Sequence, residues 1–198
     1  MMQIVLASTS PRRQELLRQV GIPFVIDAPD VDEHVLEPLP PGRLVEQLAL
    51  RKARAVARRR PGSIVLGADT IVVVDGEVLG KPADRADAVA MLERLSGRSH
   101  QVLTGVAVVR DGRELVAHEE TVVRFASLTR EQVEWYVATG EPMDKAGAYG
   151  IQGRAAALIS GISGDYYNVV GLPLYRTVQM LSQFGHPIFT GGARRRET

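Results

Sequence analysis

The sequence contains no cysteine among its 198 residues. This excludes disulfides, thiolate nucleophiles and zinc–sulfur sites, and it fits a reducing compartment. We therefore expect a cytoplasmic protein. Long hydrophobic runs are also missing: the longest, residues 64–74, is interrupted by Asp69, and the apolar stretch at the start is too short for a signal peptide. We expect no membrane span.

Net charge is nearly absent as well, since 24 basic residues face 23 acidic ones and leave a formal charge of +1. No global field attracts nucleic acid or an anionic membrane, so we expect no stable nucleic-acid complex, and any anion must be bound by a local cluster. Only three of the basic residues are lysines: Lys52, Lys81 and Lys145. In so arginine-rich a chain, these three were retained either by chance or because a compact ammonium group is needed.

Apolar residues make up 45% and charged residues 24% of the chain, which is typical of one soluble globular domain. Periodicity, caps and turn signals predict strands at 3–7, 23–28, 63–74, 77–79, 101–109 and 114–125. They predict helices at 11–20, 42–60, 84–95 and 172–184, and one after a Thr129 cap, with a glycine-rich stretch at 147–164. Helices and strands alternate first and hairpins follow, which favours an α/β fold with a mixed sheet. We expect one domain at 1–185 and a disordered basic tail at 186–198.

Two charged residues stand where the pattern calls for apolar ones. Lys52 lies in the middle of the apolar stripe of the long helix, four residues after Leu48 and four before Val56. Such a lysine either extends its ammonium group to solvent or meets a buried anion. Asp69 interrupts the most apolar strand, and Gly67, on the same face, leaves room for a ligand or another backbone. The alternative for Asp69 is a turn that splits the run into two short strands.

The first helix begins with two cations. Arg12 and Arg13 oppose the helix dipole there, at a cost of about 0.3–1 kcal/mol each, and Arg13 shares the apolar face. They are explained if an anion binds at this helix N-terminus, beside the hydroxyl groups of Ser8 and Ser10. The alternative is a solvated arginine pair with Ser10 as an ordinary N-cap.

Further candidates lie at the ends of predicted elements. Lys81 stands in Gly-Lys-Pro after the first hairpin, a place where sites are commonly built. The small residues at 145–153 would let the backbone approach a flat ligand, and Gln152 has a donor and an acceptor for a base edge. Glu33 could supply a magnesium ligand, although a solvated acidic loop explains it equally well. The residues together point to metal-assisted hydrolysis of a small phosphate ester.

Six motifs carry a resemblance to a known family. They are LASTSPRRQELL at 6–17, GADT at 67–70, LGKP at 79–82, LSGRSH at 95–100, DKAGAYGIQG at 144–153 and VGLPL at 170–174. In this order they resemble the Maf family of nucleoside triphosphate pyrophosphatases. The resemblance implies a Maf/Ham1-type α/β fold, with an elongated mixed sheet, flanking helices and two lobes around a central cleft. It also implies a homodimer, a divalent metal (Mg²⁺ or Mn²⁺), and hydrolysis of a nucleoside triphosphate to the monophosphate and diphosphate.

The resemblance also assigns roles to residues. It makes Asp69 the proton acceptor, and it makes Asp69 and Glu33 the metal ligands. The implied phosphate contacts are Ser8, Arg12, Arg13, Lys52 and Lys81. Members that prefer dTTP and UTP have Arg, Thr and Gln where this chain has Arg12, Thr70 and Gln152, whereas members that prefer 7-methyl-GTP tend to have Glu in place of the glutamine.

The sequence therefore predicts a cytoplasmic dTTP/UTP pyrophosphatase with a house-cleaning role. Modified pyrimidine triphosphates are further candidate substrates. One alternative is a non-enzymatic nucleotide- or nucleic-acid-binding regulator of cell division or septum formation, for which the basic tail at 194–196 could be cited. Another is an inosine/xanthosine triphosphate pyrophosphatase of the related Ham1 type.

Overall fold

A computed structural model describes residues 2–32 and 38–186. Its strands are β1 Ile4–Ala7, β2 Val25–Ile26, β3 Ile64–Val74, β4 Glu77–Leu79, β5 Ser99–Arg110, β6 Arg113–Phe125 and β7 Ile159–Ser163. Its α-helices are α1 Pro11–Gln19, α2 Pro41–Ala57, α3 Arg85–Leu95, α4 Arg130–Ala138, α5 Tyr166–Val170 and α6 Leu174–Gln183. Three 3₁₀-helices, Glu141–Asp144, Ala146–Ala148 and Arg154–Ala157, lie between α4 and β7.

The strands form one mixed sheet in the order β2-β1-β3-β5-β6-β7, with β4 paired to the far part of β3. Strand β1 is parallel to β2 and β3, and the other pairings are antiparallel. The α/β class with a mixed sheet is thus confirmed. Strand β3 is continuous through Asp69, so the alternative of two short strands split by a turn is wrong.

The glycine-rich stretch differs most from the prediction. It holds two of the 3₁₀-helices and the edge strand β7, and α5 follows it, although none of these was predicted. These elements are short and lack a long apolar period, so periodicity could not find them. Strand β2 is shorter than predicted for residues 23–28, and the last helix begins at Leu174 because Pro173 occupies its N-cap.

Helix caps explain why α3 and α4 begin where they do. The Asp84 side chain accepts a hydrogen bond from the backbone N–H of Asp87. Thr129 and Gln132 form a reciprocal capping box at α4. Both starts were predicted from these residue types.

Helix α2 lies directly against the sheet, with backbone touching backbone. A Cβ atom added to Gly67 on β3 would stand 2.4 Å from the carbonyl oxygen of Ala49, and one added to Gly105 on β5 would stand 2.1 Å from that of Val45. Side chains at these strand positions would push the helix away. The room that Gly67 was expected to leave is therefore filled by the backbone of α2.

The sheet separates two apolar cores. Between α2 and the sheet, one buried cluster consists of alanines and valines, among them Ala49 and Ala53 of the helix and Ala107 of β5. The opposite face carries the larger core, which includes Leu66, Phe125 and Tyr136. The thin layer on the α2 side is what the close approach of this helix requires.

Some predicted features fall outside the described residues, namely Glu33 and residues 187–198 of the predicted tail. His186, at the start of that tail, is buried, and its backbone N–H bonds to the carbonyl of Leu181. Within the described ranges, no helix combines the length and apolar character needed to cross a bilayer.

The close contact of α2 predicts that Gly105→Ala destabilises the fold. The added methyl group meets a backbone carbonyl that cannot rotate away, so we expect a loss of about 1–3 kcal/mol in the free energy of unfolding. Urea titration followed by circular dichroism measures it.

Gly80→Ala is the matched control, because a Cβ atom there meets no other atom within 4 Å and the backbone φ is not positive. It reproduces the effect of alanine on the unfolded chain, which is about 0.4–1 kcal/mol in favour of folding. Equal free energies of unfolding for Gly105→Ala and Gly80→Ala would contradict the close contact between Gly105 and the backbone of Val45.

Candidate functional site

A notch in the edge of the sheet is the candidate site. Strand β1 pairs with β3 as far as Gly67, and β4 pairs with it only from Val72 onward. Between them, residues 68–71 have no strand neighbour on that side among the described residues. The loop after β1 starts at Ser8 on one border, and Gly80 and Lys81 follow β4 on the other. Because this part of β3 has one edge uncovered by the described strands, side chains on both of its faces border the notch.

On the α2 face, the two charged residues that interrupt the apolar patterns meet each other. Lys52 Nζ lies 2.5 Å from Asp69 Oδ1, and both residues are more than nine-tenths buried. Of the two alternatives for Lys52, the structure therefore shows the buried anion, which Asp69 supplies. Asp69 lies within the unpaired part of β3, so the ion pair lies at the notch.

On the opposite face, the guanidinium of Arg13 joins three segments. Nε donates to the carbonyl of Gly171 at 2.8 Å, Nη2 to Thr70 Oγ1 at 3.1 Å, and Nη1 to Ser8 Oγ at 3.3 Å. Ser10 is the N-cap residue of α1, but its side chain forms no capping bond. The Ser8 hydroxyl instead accepts from the N–H of Ser10. Arg13 is therefore a fixed part of the site, and the alternative of a solvated arginine at this position is wrong.

The hydroxyl of Thr70 is oriented by a buried chain of hydrogen bonds. Thr104 donates its hydroxyl proton to the carbonyl of Asn168, because a carbonyl can only accept. Thr70 Oγ1 lies 2.9 Å from Thr104 Oγ1, so Thr70 is the donor of that bond. With its proton used and Arg13 donating to it, Thr70 can offer a ligand only an acceptor lone pair.

Lys81 is exposed and forms no hydrogen bond or ion pair within the described part of the chain. The carbonyl of Gly80 beside it accepts from the N–H of Gly147 at 3.0 Å. This bond attaches the glycine-rich segment, residues 145–153, to the border of the notch. The ammonium of Lys81 is thus on a tethered loop and available to an anion.

Arg12 lies beside the segment that carries Gln152. Its Nη1 would stand 3.8 Å from a Cβ atom added to Gly150. The pKa of Asp144 is lowered mainly by its hydrogen bond with Lys145, and the positive charge of Arg12 contributes. Gln152 is exposed and forms no hydrogen bond to any described residue.

The glycines of this segment serve the packing of the protein itself. A Cβ atom at Gly147, Gly150 or Gly153 would stand less than 3 Å from side-chain atoms of, respectively, Val72, Lys145 and Glu141. The expectation that these small residues leave room for a flat ligand is therefore wrong at these three positions. The side chain of Gln152 remains the part of the segment that faces outward.

The predicted metal ligands can be compared with the donors present. Among the described residues, no group of three or more His, Cys, Asp and Glu side chains gathers at one point. Asp69 supplies one carboxylate at the notch, and Glu33 lies outside the described residues. Magnesium commonly binds through one or two carboxylates together with phosphate oxygens of the substrate. The donor set fits an ion that arrives with a phosphate ligand, rather than one held by protein alone.

Sequence reasoning missed four residues that build this site: Thr104, Gly171, Tyr136 and Glu141. Thr104 is a buried hydroxyl within an apolar strand, which is the same signal that drew attention to Asp69. Gly171 contributes through its backbone carbonyl, which no residue type reveals. Tyr136 and Glu141 bond to the backbone of the Gln152 segment, and nothing in their spacing indicates this.

Residues 3–184 match the family model described as Maf-like protein. A protein of Symbiobacterium thermophilum named dTTP/UTP pyrophosphatase is 80% identical over 193 residues, which cover 98% of this chain and 100% of that protein. A Moorella thermoacetica protein of the same name is 58% identical over 187 residues, or 93% of this chain and 96% of that protein. Among solved structures, a HAM1 protein from Coxiella burnetii aligns with a TM-score of 0.53 and 20% identity. The alignment covers 92% of this chain and 100% of that chain. This likeness confirms the Ham1-type fold. Because these matches extend along almost its whole length, the chain belongs to the Maf-like protein family.

Proposed function

We propose that this protein hydrolyses dTTP and UTP to the nucleoside monophosphate and diphosphate. The observation that carries the proposal is the notch, where Lys52 pairs with the buried Asp69 and Arg13 bonds to the neighbouring Thr70 at an interruption of the sheet. The relative that is 80% identical is named for this activity. Modified pyrimidine triphosphates are included in the proposed substrate range.

Asp69 is the proposed general base. It accepts a proton from the water that attacks the α-phosphorus, and the bond from that phosphorus to the bridging oxygen breaks as diphosphate leaves. Lys52, at 2.5 Å, stabilises the negative charge of the carboxylate before the proton arrives. Burial strengthens the attraction between Lys52 and Asp69, because protein surrounds the pair on most sides.

Cations around the notch are proposed to bind the triphosphate. Arg13 is held in place by its bonds to Gly171 and Thr70, so its position needs no reorganisation when substrate binds. Lys81 and Arg12 contribute charge from the borders of the site, and Ser8 contributes a hydroxyl. Charge that develops on the leaving diphosphate is stabilised by these groups.

We propose Mg²⁺ or Mn²⁺ as the cofactor, held by Asp69, by Glu33 and by the phosphate oxygens of the substrate. When bound, such an ion neutralises charge on the phosphate oxygens. The residues described above bind and orient the substrate and take up the proton.

The base is proposed to be selected by Arg12, Thr70 and Gln152. Uracil and thymine present a carbonyl acceptor next to the N3–H donor, which is the complement of a glutamine amide. Arg12 lies beside the segment of Gln152, and Thr70 can only accept. The side chain of Gln152, without an internal partner in the described chain, is free to pair with such an edge.

We further propose that the protein is a cytoplasmic homodimer that acts on free nucleotides, without a nucleic-acid or membrane partner. The homodimer rests on the family resemblance, and the compartment on the absence of cysteine. The relatives' names do not favour a non-enzymatic regulator. Release of diphosphate from a panel of triphosphates with Mg²⁺ tests the activity, since a Ham1-type enzyme would prefer inosine or xanthosine triphosphate and a regulator would hydrolyse none.

Asp69→Asn is expected to lower the turnover number for UTP by ~10²–10⁴-fold. Asparagine keeps an oxygen that can accept from Lys52 but cannot take up the proton of the attacking water. Stopped-assay turnover and calorimetric binding of UTP measure the two effects, and binding should persist. Asp75→Asn, in the exposed turn after β3, is the control. Turnover near that of wild type would exclude Asp69 as the base.

Lys81→Ala and Lys52→Ala are expected to differ in their side effects. Both should raise KM or lower kcat for the triphosphate, because each removes a positive charge at the notch. Lys81 is exposed, so its loss should leave the melting temperature unchanged, whereas loss of Lys52 removes a buried ion pair. Arg58→Ala, on the exposed side of the end of α2, controls for loss of charge. A fully active and more thermostable Lys52→Ala would remove Lys52 from the phosphate site.

Gln152→Glu is expected to shift base selectivity away from pyrimidines. The carboxylate cannot donate to a uracil carbonyl, and a mispaired polar contact costs about 1–3 kcal/mol, or roughly 5- to 150-fold. The measurement is the ratio of kcat/KM for UTP to that for 7-methyl-GTP, whose base edge is richer in donors. Gln47→Glu, exposed on α2, is the control. An unchanged ratio would show that Gln152 does not contact the base.

A further inference from the structure

The segment that carries Gln152 is held by an internal tyrosine–glutamate pair. Tyr136 is fully buried on α4, and its hydroxyl accepts from the N–H of Gly150 at 3.1 Å. The same hydroxyl donates to Glu141 Oε1 at 2.9 Å. Burial raises the pKa of Tyr136, so the proton that this second bond needs stays in place. The bond from the Gly150 N–H to Tyr136 fixes the start of the segment.

The second carboxylate oxygen of Glu141 fixes the end of the segment that carries Gln152. Oε2 accepts from the backbone N–H of Arg154 at 3.0 Å. Between the two bonds, a Cβ atom on Gly153 would stand 2.2 Å from Oε1, so the carboxylate lies directly against the backbone. Glu141 is itself held through its N–H, which donates to Thr139 Oγ1 at 3.1 Å. The Tyr136–Glu141 pair thereby spans the turn that presents Gln152, with Tyr136 bonded to Gly150 and Glu141 bonded to Arg154.

A separate contact anchors the chain before this turn. The Tyr149 hydroxyl lies 2.6 Å from His100 Nε2, and its ring packs edge-on against His100 and Phe125. Burial lowers the pKa of His100 to about 4, so this contact is neutral near pH 7. Ile151 is buried as well. The backbone is therefore held on both sides of Gln152, while its side chain faces outward.

We infer that Glu141 and Tyr136 are positioning residues that strengthen the binding of a pyrimidine base by fixing the backbone of Gln152. A glutamine on an unrestrained loop would lose conformational entropy when it pairs with a base, and a fixed backbone reduces that loss. The inference rests on the proposed function, because it concerns the same recognition of a pyrimidine edge. Neither residue is required to touch the substrate.

A double-mutant cycle tests the coupling. Glu141→Gln leaves one side-chain acceptor oxygen for two donors, and Tyr136→Phe removes the acceptor of the Gly150 N–H. Each is measured alone and combined with Gln152→Ala. We expect kcat/KM for UTP to fall about 5- to 30-fold in the wild-type background, mainly through KM, and to fall little further once Gln152 is absent.

Additive losses would overturn the inference, because a merely structural role acts equally with or without Gln152. Glu134→Gln, exposed on α4 and bonded to Arg130, is the control and should not change kcat/KM in either background. If Glu141→Gln does not fold, Tyr136→Phe makes the same comparison with a smaller change.

Hydrogen exchange of the free protein gives a readout independent of activity. The amides of Gly150 and Arg154 should exchange faster in both variants than in wild type, while amides of β5 keep their protection. Unchanged exchange at both amides would overturn the inference. A wild-type protein that hydrolyses neither dTTP nor UTP would refute the proposed function instead, and the exchange result would still report whether the pair holds the segment.

Discussion

The close packing of α2 on the sheet is the constraint on which the rest of the site depends. Gly67 and Gly105 allow the helix backbone to touch the strands, and this places Lys52 at 2.5 Å from Asp69. A larger separation would leave two buried charges apart, each with an uncompensated desolvation cost of several kcal/mol. The two glycines therefore belong to the chemistry of the site, although neither carries a reactive group.

A mismatch of strand lengths supplies the second condition. Strand β3 is longer than its neighbours on one side, and the space between β1 and β4 leaves four of its residues without a strand partner on that edge within the described ranges. In a continuous sheet, the ion pair on one face and Arg13 on the other would be separated by backbone. In the proposed function, the notch lets both sets act on one ligand, with Lys81 and the segment of Gln152 at its border. This arrangement suits an extended polyanion with a flat base at one end.

Much of the architecture could be predicted because its signals are local. Asp84 and Thr129 marked helix starts, and the predicted bounds of both hairpins are close to those of the observed strands, although the long helix ends at Ala57 and not at residue 60. The failures have a common physical cause. The 3₁₀-helices, β7 and α5 are too short to show a period, and the backbone at Gly150 and Arg154 is held by side-chain bonds to Tyr136 and Glu141 that no residue pattern indicates. The glycines at 147, 150 and 153 were attributed to a ligand, whereas the protein's own side chains lie against them.

The sequence by itself determined which residues were out of place: a lysine in an apolar helix stripe, an aspartate in an apolar strand and two arginines at a helix start. It determined this because burial of an unpaired charge costs free energy wherever it occurs, so such a residue stands out from the pattern alone. Only the tertiary structure decided that Lys52 and Asp69 form an ion pair, that Thr70 can only accept and that a tyrosine–glutamate pair spans the turn of Gln152. Those facts depend on distances between residues far apart in the chain, and spacing along a sequence carries no information about such distances.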